Sequence, residues 1–164
     1  MNKPKQLCIH MSGFRKWSTR EPFIGVEDIR DYHMNIRKFQ DVAYHTVIKK
    51  DGTIQDGRPI DLYPASCKGH NTDVWAVCLV GEFNVEMPTD KQLNSLKVFI
   101  LKSVIPEFIK NGVNPKEATD MLHIFGHCDY RDPPGKRYCP GKNLHRQIPS
   151  VSNWVRNAII KGIK

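Results

Sequence analysis

The chain has 164 residues, 40% of them hydrophobic, the size and make-up of one globular domain that can bury a core. Its longest apolar runs, Trp75 to Val80 and Val98 to Leu101, fall far short of the roughly 20 residues that cross a membrane as a helix. A net charge of +8 calls for an anionic partner, but basic and acidic residues are interleaved and neither a zinc-finger spacing nor an RNA-binding sheet signature is present, so specific nucleic-acid recognition is not expected.

The basic start Met1-Asn2-Lys3-Pro4-Lys5-Gln6 leads into a short apolar run broken by His10, Ser12 and Arg15, not into a targeting segment. Synthesis and folding in a cytoplasm are therefore expected. Leu7 to Met11 is a strand stopped by Ser12-Gly13, which leaves His10 near its carboxyl end. From Gly25, Val26, Ile29, His33 and Ile36 recur at spacings of three and four, predicting a helix to about Lys38. Val42 to Lys50 is β-branched and aromatic, and Lys50-Asp51-Gly52-Thr53 turns it back into Thr53 to Gln55 as a hairpin.

Trp75 to Val80 is apolar without alternation, as in a central strand covered on both faces. Thr89 and Gln92 form a capping-box signal, after which Leu93, Leu96, Ile100, Val104 and Phe108 trace a long helix that Pro106 is expected to kink or end. A shorter helix over Pro115 to Met121 and a strand over Leu122 to Phe125 lead into Gly126-His127. Asp129 to Lys142 holds three prolines and two glycines and reads as a loop. Val151, Trp154, Val155, Ala158 and Ile159 give a terminal helix one apolar side, with Arg156, Lys161 and Lys164 elsewhere. The pattern predicts an α/β fold, a single domain over 1–164 with a mixed central sheet flanked by helices.

Five cysteines at 8, 67, 78, 128 and 139 are too few and too scattered for a disulfide framework, so reduced thiols are expected, with metal binding as the alternative use. A catalytic zinc site takes three protein ligands, often imidazole and thiolate, and leaves a fourth position open. His10, His127 and Cys139 offer such donors from two strand ends and the loop, although spacing alone does not single them out. Cys8, Cys67 and Cys78 read as small buried hydrophobes. Neighbouring strand residues face opposite ways, so Cys128 and His127 cannot both reach one ion. His33 and His123 read as structural, and His145 as a surface residue.

Six segments in order, Leu7-Cys8-Ile9-His10-Met11-Ser12, Asp41-Val42-Ala43-Tyr44-His45-Thr46-Val47-Ile48, Gly69-His70-Asn71, Val77-Cys78-Leu79-Val80-Gly81, Gly126-His127-Cys128-Asp129 and Cys139-Pro140-Gly141, resemble the motifs of type 2 N-acetylmuramoyl-L-alanine amidases. That family includes small phage endolysins and shares its fold with the peptidoglycan recognition proteins. The resemblance implies Zn2+ on His10, His127 and Cys139, with Tyr44 over the metal as a catalytic group. It implies a catalytic cation two residues before the cysteine ligand, where the family's lysine is replaced by Arg137, with Lys136 beside it. It also implies substrate contacts from His45, His70 and Asn71. The stretch between His127 and Cys139 is longer than in compact members, and Ser66 stands where a histidine is usual. The expected mechanism is metal-assisted hydrolysis, in which zinc polarises the carbonyl and lowers the pKa of water from about 15.7 to about 7.

The function implied is hydrolysis of the lactyl–L-alanine bond of peptidoglycan by a phage lysin, monomeric, made without a signal sequence and acting on the wall or periplasm. Alternatives are a cytoplasmic muropeptide-recycling amidase, a non-catalytic peptidoglycan-binding module, and an interaction protein inhibiting RNA polymerase, a role the resemblance admits without naming a surface. A thiol hydrolase using Cys128 or Cys139 with a histidine is a further alternative. The basic terminal helix, through Arg156, Lys161 and Lys164, is the candidate contact for an anionic membrane or lipopolysaccharide.

Overall fold

A computed structural model of the chain describes residues 1–13, 24–120, 123–130 and 139–162. Five strands, β1 (Gln6–Met11), β2 (Thr46–Ile48), β3 (Ile54–Asp56), β4 (Val74–Leu79) and β5 (Ile124–Gly126), form one sheet in the order β3-β2-β4-β1-β5. The β2–β3 pair is antiparallel and every other pairing is parallel, so the mixed sheet expected from the pattern is present. The hairpin turns on the Asp-Gly step: Gly52 N donates to Lys49 O at 2.9 Å, and the Asp51 carboxylate accepts from Thr53 N at 2.9 Å. Its first strand is shorter than the β-branched run, beginning at Thr46.

The two faces of the sheet have different neighbours. Leu7 and Ile9 of β1, Val77 and Leu79 of β4 and Ile124 of β5 pack with Leu96, Phe108, Val151 and Val155 in the larger apolar cluster. Those partners come from α2 (Asp90–Phe99), α3 (Ile105–Lys110) and α5 (Ile148–Ile160), the last preceded by the short α4 (Lys142–His145). Cys8 and His10 alternate onto the opposite face. There Cys8 packs with Cys67, Val74 and Phe125, while Cys78, in register with His10, packs with Val26 and Ile29 of α1 (Val26–Asp31).

Thr89 and Gln92 form the expected reciprocal cap, each backbone N–H donating to the other's side-chain oxygen at 3.1 Å. The Gln92 amide also donates to Val80 O at 2.9 Å, tying the first turn of α2 to the end of β4. Pro106 does not end this helix. A π-helical turn over Ile100–Val104 changes the hydrogen-bond spacing ahead of it, and the chain continues as α3 with proline in its first turn. Another π-helical turn, Tyr32–Ile36, extends α1. The helix expected over Pro115 to Met121 is instead a run of turns up to Asp120, started by Asn114, whose side chain accepts from Lys116 N at 3.0 Å. Met121 and Leu122 lie outside the described residues. No helix among the described residues is long and apolar enough to cross a membrane. On α5, Arg156 is engaged by Asp120 and by Thr119 at 3.2 Å, so it is not a free surface cation; Lys164 lies outside the described residues.

Candidate metal centre

Parallel pairing brings the carboxyl ends of β1 and β5 together, with Ile9 in register with Gly126. The next residues along, His10 and His127, sit side by side, ring centroids 4.9 Å apart and edge to face. Cys139 arrives from the far end of the loop. Its Sγ lies 3.5 Å from His10 Nδ1 and accepts from Met11 N at 3.5 Å. The donor atoms of the three residues all lie within 4.8 Å of one another.

Two glycines let the loop approach this closely. A Cβ on Gly126 would stand 2.6 Å from Pro140 Cδ, so any side chain there would push out the residue that follows Cys139. Gly141 has φ +87° and an equally tight approach to the backbone of Phe83. A 2.7 Å hydrogen bond from Cys128 N to Cys139 O closes the base of the loop.

His10 is 1% exposed, and its Nε2 has no hydrogen-bond partner. A buried polar atom left unpaired costs about 1–3 kcal/mol, so its persistence asks for a partner of another kind. Burial, and then His127, hold the His10 pKa well below its usual value, leaving a neutral imidazole with a lone pair. Burial pushes the Cys139 thiol up to about 12, with only partial relief from the Met11 N–H. Two imidazoles and a thiol whose proton a cation can displace match the zinc donor set. The same raised pKa, shared by Cys128 at about 11 through burial and Asp129, is the reverse of what a thiol nucleophile requires.

Tyr44 stands beside this cluster, its ring 5.1 Å from that of His10. Burial, then the thiols of Cys78 and Cys139, raise its pKa, so the phenol keeps its proton as a donor. Cys78, expected to be only a small hydrophobe, lies in the apolar cluster against which Tyr44 packs. Cys67 packs against Cys8, and interaction with Cys8 first, then with His127, draws its thiol down to about 6. Neither role carried a sequence signal, because both depend on which residues meet across the sheet. All five cysteines are unpaired, as expected.

His45 does not belong to this constellation. It is 3% exposed, its Nδ1 accepts from Ala76 N at 3.0 Å, and its Nε2 is engaged by Leu62 O at 3.0 Å. Both of its ring nitrogens are thus committed to backbone. Asn71 spends its side-chain oxygen on Ser66 N and Cys67 N, holding the Gly69 turn. His70 is exposed and stacks on Tyr130, with centroids 4.3 Å apart. Lys136 and Arg137, the expected catalytic cations, lie outside the described residues. His145 is at the surface, as expected, and its Nε2 pairs there with Asp129 at 2.9 Å.

Residues 1–142 match the family described as N-acetylmuramoyl-L-alanine amidase. The endolysin of Enterobacteria phage K11 is 30% identical over 125 residues, which cover 76% of this chain and 75% of that protein. Peptidoglycan-recognition protein 2 of Holotrichia diomphalia is 28% identical over 130 residues, 79% of this chain but only 63% of that protein. The N-acetylmuramoyl-L-alanine amidase LysC from Clostridium intestinale has the same fold, with a TM-score of 0.70 at 23% identity over 93% of this chain and 87% of that one. By the match along nearly its whole length, this chain belongs to the N-acetylmuramoyl-L-alanine amidase family.

Proposed function

We propose that the chain is a zinc-dependent amidase that hydrolyses the bond between the lactyl group of N-acetylmuramic acid and L-alanine in peptidoglycan, working as a phage endolysin does. One observation carries the reading: a buried, unpartnered His10 Nε2 beside His127 and Cys139 in a chain of this family. His10, His127 and Cys139 would hold the ion. Bound there, zinc supplies Lewis acidity and lowers the pKa of water to about 7.

The chain's own residues do the rest. Tyr44, kept protonated by its surroundings, donates its O–H to the oxygen that gains charge as the amide carbonyl is attacked. Lys136 or Arg137, as the family resemblance implies, would supply a positive charge to the same oxygen. Arginine cannot readily release a proton, so if Arg137 fills the role it stabilises charge and transfers nothing. The His10 imidazole and the Cys139 thiol stay neutral in the metal-free site, which suits them to ligation. His70 and Asn71 lie on the turn that reaches His127 through Cys67, and His70 presents the exposed ring for contact with the glycan or peptide. The net charge of +8 favours approach to an anionic wall.

A second reading, peptidoglycan binding without hydrolysis, draws support from the recognition-protein relative. Cys139 in place beside both histidines speaks for hydrolysis. Zinc analysis of the purified chain together with mass analysis of digested muropeptides separates the two. The amidase reading expects about one tightly held zinc, free stem peptides and intact glycan, and loss of both zinc and products in Cys139→Ser. Digestion that persists in a chelator, or in Cys139→Ser, overturns it.

A further inference from the structure

A second group of donors sits beside the first, on the outer side of the turn that follows β5. The chain there forms a 3-10 turn, His127–Asp129, and consecutive residues leave it in different directions. His127 joins His10 and Cys139, whereas Cys128 and Asp129 join His145. The Cys128 Sγ, an Asp129 carboxylate oxygen and a His145 ring nitrogen all lie within 4.8 Å of one another, as tightly grouped as the donors of the first cluster.

Their positions are fixed by other contacts. Asp129 Oδ2 accepts from Gly126 N at 2.8 Å, and its carboxylate pairs with His145 Nε2 at 2.9 Å. The His145 ring packs on Gly126, where a Cβ would lie 2.9 Å from its Cδ2. Cys128 N is held by Cys139 O at 2.7 Å, and His145 N by Gly141 O at 2.9 Å. An open cavity of about 320 Å³, lined by Asn84, Lys142, His145 and Arg146, borders the cluster at His145.

We propose that Cys128, Asp129 and His145 form a second, solvent-facing zinc site that clamps the two ends of the chain segment carrying Cys139. Thiolate, carboxylate and imidazole are all zinc ligands, and a set of three leaves the fourth position to water. Metal–donor bonds of about 2.0 to 2.3 Å place tetrahedral donors roughly 3.5 Å apart. The cluster therefore closes by about an ångström on binding, within reach of side-chain movement at a half-exposed site. Binding displaces the Cys128 proton to the buffer and replaces the His145–Asp129 hydrogen bond with bonds from both groups to the ion. Two anionic ligands neutralise the dication, so Lys142 and Arg146 at the cavity meet no added charge. Asp129 and His145 are 16 positions apart, with Cys139 between them, so an ion here cross-links the base of that segment.

The test is a metal titration of the purified full chain, by equilibrium dialysis with zinc and by cobalt absorption, where a thiolate ligand gives a charge-transfer band. The wild type is expected to take up two equivalents, the second raising the Tm by a few degrees. Cys128→Ser and His145→Gln should each lose only the weaker equivalent and its Tm gain. Cys139→Ser should lose the tighter one and keep a cobalt–thiolate band from Cys128. An equivalent that vanishes in Cys128→Ser and His145→Gln but ignores Cys139→Ser supports this site even if the proposed catalytic centre fails. Uptake of a single equivalent in excess zinc that depends only on Cys139, or a second that survives in both Cys128→Ser and His145→Gln, overturns it.

Discussion

His10 and His45 are both buried histidines, at 1% and 3% exposure, yet they differ in what their nitrogens meet. His45 is closed on itself, with one nitrogen taken by Ala76 N and the other by Leu62 O. His10 keeps a nitrogen with no partner, beside a thiol and a second imidazole. His33 follows the first pattern, its Nδ1 accepting from Ala43 N at 3.0 Å. Satisfaction of hydrogen-bonding capacity, and not burial, separates the structural histidine from the one available to a ligand.

The largest effect that would sharpen this contrast is the response to acid. Burial lowers the pKa of His33 and of His45 to about 4 from a usual 6.5. The unfolded chain therefore binds their protons first. Stability is intact above pH 6.5 and falls as the pH drops toward 4, by about 3 kcal/mol for each histidine, or roughly 6 kcal/mol for the pair. Urea midpoints measured against pH should show that slope, and His33→Gln with His45→Gln should flatten it even though the variant is less stable at neutral pH.

Next in size is His10→Leu, expected to lower peptidoglycan hydrolysis roughly a thousandfold and to abolish tight zinc uptake. In chelator, the same variant should lose little stability beyond the long Nδ1–Cys139 contact, because an apolar group replaces the unpaired Nε2. A large loss of metal-free stability would show that Nε2 has a structural partner after all, and would break the comparison. Tyr44→Phe should cost roughly a hundredfold in kcat while zinc stays bound, as expected for loss of one fixed donor to a developing oxyanion. Smallest is His45→Leu. It strands Ala76 N–H and Leu62 C=O and should cost about 1–3 kcal/mol in thermal or urea unfolding, with zinc content and activity per folded molecule unchanged. A selective loss of substrate affinity in that variant would restore His45 to the binding surface.

Much of the fold was legible because its signals are local. The Asp51-Gly52 turn, the Thr89–Gln92 cap and the unbroken apolar run of β4 each write their structure into a few adjacent residues. That Pro106 would not end the helix was not legible, because the π-helical turn ahead of it has no simple pattern in the sequence. The six motifs pointed to His10, His127, Cys139 and Tyr44, and the first three do converge. They put both Tyr44 and His45 at the site, adjacent in one motif but directed to different surroundings, the first toward His10 and the second into the backbone of Ala76 and Leu62. The meeting of Cys67 with His127 and of His145 with Asp129 is set by loops, where residue spacing carries no geometric information.

The hydrogen bond from Cys128 N to Cys139 O has a consequence for how this chain can change over time. It pins the two ends of the intervening stretch to each other, so the sulfur is located by its anchor and not by the number of residues in between. Lengthening such a closed stretch costs only about 0.6 kcal/mol per doubling. Insertions there can accumulate with little disturbance to Cys139, which accounts physically for the long interval between His127 and Cys139 and marks it as the place where variants of different length would be tolerated.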